Sequence, residues 1–515
     1  MSTELLSGLL GSDVDPAEAG VRLGQMAADL ELDVSALLRS MAADPQRLAD
    51  SDPAILGGLF RLIHLRLARA GIESIPEDTE FAKLAHGWIG AILSAVPEVT
   101  PNQFLLLQLL ATRGSDASLG VLVNQLRQRP PQTWMQAGQI LGPLMQRDGW
   151  NVDAVYPDLL DCLSSPAMAA PVLDLANFLC RKGRVDRHPA ADQLTVLNHL
   201  LGEVSGRLSR FEEDPRSFGD DVETVQNRLS ESVALAVSLC DAVGLIGDES
   251  SIGKLNQAIE LKHRRVQCEA AGALARMDDD LGKKRLLQLT DEPAARLRAI
   301  QYADELGFGD DVDPDQRTET ASAESEMALW LTQPQQMGVP PTGVEVIESR
   351  RMMWPSFDDP IDVHLVRFEY NFGDRQYSNI GIVGPVTFAM AADVADLPVD
   401  DIFAIYAGWH AEHNEIFTVA ADQLNEAQKR LMAAYRDHLD RAGYEDATPE
   451  LLGLFLDETA GIFRAIRDET ECRVVTDGLE TIDQPIAGRQ RPLQSGDVFN
   501  LYKGRKMLRT FNPGA

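Results

Sequence analysis

His410 and His413, in the run Trp409-His410-Ala411-Glu412-His413-Asn414-Glu415, have a spacing that suits metal chemistry. At i, i+3 the two imidazoles share one face of a helix, and two such ligands are an acceptable start for zinc. A third ligand and a general base would have to come from elsewhere. The run is neither H-E-x-x-H nor H-x-x-E-H. The competing reading is a polar, partly exposed helix face, so no metal or cofactor is assigned, and His410 and His413 stand as candidates.

Other groupings point less to chemistry. Asp311-Val312-Asp313-Pro314-Asp315 alternates carboxylates like a calcium loop. Counting from Asp311, position six is Gln316 and position twelve is Ser322, so the ring cannot close as an EF-hand. Gly381-Ile382-Val383-Gly384-Pro385 is glycine-rich but lacks the lysine and helix start of a phosphate loop, which favours a tight turn. Ser378-Asn379 beside it could line a strand-end pocket. No Walker A sequence, dinucleotide fingerprint or G-x-S-x-G elbow occurs. Two basic islands remain. Lys503-Gly504-Arg505-Lys506-Met507-Leu508-Arg509 suits an internal contact with acidic surface or a solvated tail. Lys262-His263-Arg264-Arg265 suits a turn between paired helices, and a recognition edge is its functional alternative.

The whole chain sets limits on these readings. Its 515 residues carry a formal net charge of -32. A field of that sign repels phosphate backbones, so nucleic acid is not an expected partner. Cys162, Cys180, Cys240, Cys268 and Cys472 form no CxxC pair, and several lie among apolar helix positions, which argues for buried thiols in a reducing compartment. The N-terminus lacks the basic and apolar regions of a secretory signal, and no run of about 18 uninterrupted apolar residues occurs. The expectation is a cytoplasmic protein without a membrane partner.

Helix punctuation dominates the first 308 residues. Asp15-Pro16-Ala17-Glu18, Asp44-Pro45, Asp52-Pro53, Thr100-Pro101 and Ser165-Pro166 read as starts, with a cap followed by proline in the first turn. Arg69-Ala70-Gly71, Arg113-Gly114, Arg147-Asp148-Gly149 and Arg181-Lys182-Gly183 read as stops, a cation and then a left-handed glycine. Between Gly247 and Met277 two amphipathic stripes occur, Ile252, Leu255, Ile259 and then Val266, Ala270, Ala273, Met277. The segment 242–248 aligns with 273–279 at an offset of 31 residues, and a further second helix follows near 291–306. One such pair cannot bury both faces alone, so it must stack on neighbours.

Asp248, Glu249, Ile252, Leu255, Ala258 and Ile259, followed by Arg264, Val266, Ala270, Ala271, Ala273, Leu274 and Met277, resemble a HEAT repeat in the short form of bilin lyases. The resemblance is clear over 235–307 and degenerate over 80–210. It implies an α-solenoid and says little about activity.

After Gly307 the chain changes. Residues 309–343 are acidic and then rich in proline and glycine, and are expected to be a linker. Val344–Ile347, Val363–Phe372 and Tyr377–Val383 read as strands, the last two as a hairpin. Helices are expected from Val399 through Phe417, over 424–441, and from Thr448 to Arg467, with one or two short strands in 472–515. The fold class is therefore mainly α: a helical segment 1–79, HEAT-like repeats 80–308, the linker 309–343 and a small α+β domain 344–515. The expected function is a protein-interaction scaffold or adaptor with no evident catalysis, whose partner is another protein. The alternatives are bilin-lyase-like handling of a tetrapyrrole, which the resemblance implies, and a metal-dependent activity at His410 and His413.

Overall fold

In the computed structural model all residues are described except 1–5, 7, 13, 30, 73, 74, 77, 78, 334, 374, 412–415, 456, 489, 490, 514 and 515. The chain is mainly helical and ends in an α+β region with two antiparallel sheets. Two compact units divide between Leu286 and Leu287.

The first unit is built from helices α1 (Pro16–Ala28), α2 (Val34–Ala42), α3 (Pro45–Ala49), α4 (Pro53–Arg69), α5 (Glu80–Ala95), α6 (Gln103–Arg113), α7 (Asp116–Gln128), α8 (Trp134–Gln146), α9 (Pro166–Arg181), α10 (Leu194–Glu213), α11 (Val222–Ile246), α12 (Ile252–Ile259) and α13 (Arg264–Arg276). Helix α14 (Asp280–Leu289) spans the division. The caps are those the residues require. Asp15, Asp44 and Asp52 each accept from backbone N–H groups of the following first turn, with proline in that turn. Gly114 ends α6 at φ 64° and Gly247 ends α11 at φ 75°.

Helices stack in two layers. One runs α4, α6, α8, α9, α11, α13, each packed on the next. The other includes α2 on α5, α5 on α7, α7 on the 3-10 turn Asp158–Ser164, and α10 on α12. Small residues permit the closest approach: a Cβ on Gly244 of α11 would lie 2.7 Å from the Cβ of Ala273 on α13. Helix α11 is long and apolar enough to cross a membrane by length and composition, but 56% of its apolar window is buried inside the protein, where α9, α10 and α13 pack on it.

The second unit holds α15 (Pro293–Glu305), α16 (Glu319–Leu331), β1 (Gly343–Met352), β2 (Ile361–Phe372), β3 (Arg375–Val383), β4 (Phe388–Ala389), α17 (Val399–His410), β5 (Phe417–Ala420), α18 (Glu426–Arg441), β6 (Glu445–Phe455), β7 (Glu458–Arg467), β8 (Thr470–Thr476), β9 (Thr481–Pro485) and α19 (Ser495–Phe511). The sheets are ordered β1-β2-β3-β4 and β5-β6-β7-β8-β9, antiparallel throughout. Helices α17 and α19 pack together in a core that includes Val363, Leu365, Ile380 and Ile382 from the first sheet and Ala460, Ile462, Val475 and Ile482 from the second. The opposite faces are covered by α16 and α18.

Three expectations require correction. The acidic stretch 309–343 is not simply a linker. Within it α16 turns Ala323, Met327 and Leu331 onto Val366, Phe368 and Tyr370 of β2. The acidic residues hide this i, i+4, i+8 stripe from a composition argument, yet burying Met327 or Leu331 contributes about 1.5–3 kcal/mol each. The chain from Thr448 to Arg467 is two strands rather than a helix. Pro449 sits next to a bulge, beyond the four residues that β5 pairs, so its missing N–H removes no bond to β5. Asp457, at φ 62°, lies in the tight turn to β7. Finally, the helix from Val399 stops at His410, and Phe417 opens β5.

The two halves of this unit repeat one plan: an outer helix, a four-stranded meander and an inner helix. The inner helices also share sequence. Asp401, Ile402, Phe403, Ile405, Tyr406 and Gly408 match Asp497, Val498, Phe499, Leu501, Tyr502 and Gly504, each 96 residues later. Their contact is reciprocal. A Cβ on Gly408 would meet the carbonyl of Asn500 at 1.9 Å, and one on Gly504 would meet that of Ala404 at 1.6 Å. Ala404 and Asn500 are themselves 96 apart, so the helices cross as an isologous pair would.

Candidate recognition surface

The basic turn Lys262–Arg265 joins α12 to α13. Lys262 is exposed, and its backbone N–H donates to Glu212 Oε1 at 2.6 Å. His263 is the N-cap residue of α13 but makes no side-chain cap bond. Burial, with the charge of Arg265 beside it, pulls its imidazole down to about 4, so it is neutral at physiological pH. Arg264 Nη1 donates to Gln267 Oε1 at 3.0 Å, and Gln267 Nε2 donates to Ile259 O at 3.3 Å, which ties α13 back to α12.

Arg265 is exposed, and its charge acts on Asp174 of α9. Stacking of α9, α11 and α13 brings this pair together. Ser238 and Asp241 are i, i+3 on α11, and Arg265 and Glu269 are i, i+4 on α13, so each pair shares a helix face. Ser238 Oγ donates to Asp174 Oδ1 at 2.6 Å. Arg181, at the end of α9, grips Asp241, with Nε 3.2 Å from Oδ2. Glu269 is buried. Asp174 is exposed by area, and its carboxyl is partly desolvated by the neighbouring helices. That desolvation raises its pKa to about 6, with Asp241 and Glu269 adding to it and Ser238 and Arg265 opposing it. The result is a mixed carboxylate and guanidinium cluster in which Asp174 and Arg265 are exposed, Asp241 is half-buried and Glu269 is buried.

Beneath it lies a fixed polar contact. Asn177 Nδ2 donates to Ser238 O at 3.0 Å, so Asn177 Oδ1 is the acceptor facing His188 Nε2 at 2.9 Å. His188 Nε2 therefore carries the proton, and its Nδ1 accepts from the Ala190 N–H at 3.2 Å. Burial holds this imidazole down to about 4. Thiol chemistry finds no support nearby. Burial pushes Cys240 and Cys180 up, and Cys162 up to about 11, and no disulfide joins any of the five cysteines.

Sequence reasoning located Arg265 and missed Asp174, Ser238, Asp241 and Glu269. A signal was present: Asp174, Asp241 and Glu269 are acids set inside the apolar runs Val172–Leu179, Leu239–Val243 and Cys268–Leu274.

The other candidates resolve differently. His410 is the last residue of α17, and Trp354 Nε1 donates to its Nδ1 at 3.1 Å. An indole only donates, so the neutral imidazole carries its proton on Nε2. Phe357 stacks on the ring, with centroids 6.2 Å apart. His413 lies outside the described residues. Among the described residues no three His, Cys, Asp or Glu side chains are grouped to hold a metal ion. Asn379 is fully buried. Its Nδ2 donates to Met390 O and Ala392 O at 3.1 Å each, which makes it a clamp on the loop after β4 rather than a pocket wall. The Lys503–Arg509 island lies on α19. Arg505 holds Asp401 through two bonds of 2.7 and 2.8 Å, Lys506 holds Asp477 at 2.9 Å, and Arg509 holds Glu480 at 2.7 Å. The internal-contact reading describes it.

Compared with family models, with curated proteins and with solved structures, the chain has no match.

Proposed function

We propose that the first unit is an α-solenoid of HEAT-like helix pairs and that the chain works as a protein-interaction scaffold in the cytoplasm. The observation that carries this reading is the next-but-one stacking of helices, which sets α9, α11 and α13 side by side. The exposed Asp174 and Arg265 and the half-buried Asp241 thereby come near one another, although they lie on three separate helices. Such a cluster offers charge-matched contacts to a folded partner, and desolvated charges of both signs favour specificity over raw affinity.

A photo-crosslinking side chain placed at Arg265, or at the exposed Gln257 on α12, tests the reading in native extract. Discrete adducts from position 265 and none from position 257 are expected, and they should disappear when Asp174→Arg is added. Equal labelling from both positions, or none, would overturn it. So would a spectral shift on titrating the whole chain with micromolar bilin, which would favour tetrapyrrole handling.

A further inference from the structure

The duplicated halves of the second unit allow one to be read against the other. The β2–β3 turn closes on Phe372 and Arg375, and the β7–β8 turn on Arg467 and Thr470, 95 residues later. In that frame Val366 of β2 corresponds to Gly461 of β7. Val346 stands opposite Val366, and Leu452 opposite Gly461. Glu345 corresponds likewise to Leu451. The first strands of the two meanders, β1 and β6, are therefore equivalent, and Glu345–Ser349 of β1 matches Leu451–Leu454 of β6.

The halves differ at this edge. Leu451–Leu454 are covered by β5, with Val419 opposite Leu452 and Ala420 opposite Leu451. No described strand lies beside β1, which is the outermost of its sheet. Its residues are exposed or half-buried along their whole length, whereas β3 has five consecutive buried residues. The Val346 N–H is turned to Glu324 Oε1 at 3.4 Å, a long bond standing where a neighbouring strand would supply a carbonyl. Glu345 and Glu348 place two carboxylates along this edge, paired with Arg367 at 3.8 Å and with Arg350 at 3.1 Å, while Glu324 is held by Arg296 at 3.1 Å.

We propose that β1 accepts an extended segment of a partner protein over Glu345–Ser349, added antiparallel as β5 is added to β6. The segment carries a β-branched residue opposite Val346, as Val419 stands opposite Leu452. Basic residues alternate with it and compete with Arg367 for the carboxylate of the exposed Glu345. Main-chain bonds supply affinity and the alternate side chains supply selectivity.

The probe is a fluorescein-labelled octapeptide of alternating lysine and valine, titrated into the full chain, with an alternating glutamate–valine peptide as control. Saturable binding of the lysine peptide is expected, with slowed amide exchange confined to 343–352. Glu345→Lys should weaken it at least tenfold, and Val346→Pro, which deletes the outward N–H, should abolish it. Circular dichroism of both variants establishes that the sheet persists. Equal binding by the acidic peptide, equal binding to Glu345→Lys, or protection spread over other surfaces would mean that only net charge attracts the probe and would overturn the proposal. Absence of saturable binding would do the same.

Discussion

Arg147 donates from Nη1 to the carbonyl oxygens of Thr112 (2.8 Å) and Arg113 (2.6 Å), the last two residues of α6. The same relation recurs along the unit. Arg113 serves Ile72 (3.1 Å) and Ile75 (2.5 Å) after α4, Arg129 serves Leu93, Ser94 and Val96 at the end of α5, and Arg184 serves Arg147 and Trp150 after α8. The guanidinium groups of Arg147 and Arg129 meet carbonyls that a helix end leaves without intrahelical partners and place a cation at the negative end of the helix dipole, while Arg113 and Arg184 bind the chain just after a helix. Arg113 and Arg147, read in the sequence as helix stops, thus also fasten one helix to another, and Arg129 and Arg184, outside those stop patterns, do the same.

Replacing Arg147 by Met should therefore loosen the stack rather than one helix. Two charge-assisted bonds are lost and two carbonyls lose their protein donor, so a cost of about 1–3 kcal/mol is expected. Urea unfolding measures it. An unchanged midpoint would mean that water replaces the guanidinium without loss.

Asp174 gives a pH signature. Its carboxyl in the folded state is raised to about 6 from the usual 3.8, with desolvation the leading cause. The folded state then binds the proton more tightly than the unfolded chain, so stability falls as pH rises from about 4 to about 6. The penalty is fully present above the folded value and vanishes below the unfolded one. Asp174→Asn should consequently raise the urea midpoint at pH 7 and leave it nearly unchanged at pH 3.5. Because the residue is exposed by area, solvent screening keeps the gain small. The same gain at both pH values would assign it to something other than this titration.

Gly408 and Gly504 form the crossing of α17 on α19, each without room for a methyl group against the other helix's backbone. Either glycine-to-alanine change forces the helices apart and should cost about 1–3 kcal/mol, against the gain that alanine brings inside an unpacked helix. Once one substitution has opened the crossing, the second should cost less than the first. Denaturant unfolding of both single variants and the double variant tests this, and full additivity would show that the two contacts are independent.

The sequence by itself determined the helical character of the first unit, its caps and stops, the basic turn, the burial of Cys268, and the β2–β3 hairpin. All of these follow from short-range patterns: a carboxylate two or three residues before an N–H, a glycine after a cation, and periods of 3.6 or 2. It also carried the paired Asp-x-Phe-x-x-Tyr-x-Gly runs at 401–408 and 497–504, a signal that registers only when two distant stretches are laid side by side. Tertiary structure alone decided the rest. An acidic run such as 319–331 becomes a packed helix because three apolar residues find β2. A Thr-Pro-Glu start becomes a strand because β5 and β7 offer ladder partners that a lone segment lacks. Asp174 accepts from Ser238 and feels the charge of Arg265 only because α9, α11 and α13 follow one another in the stack. Local rules see a few residues at a time, and these outcomes depend on surfaces brought together across longer separations, 64 residues between Asp174 and Ser238.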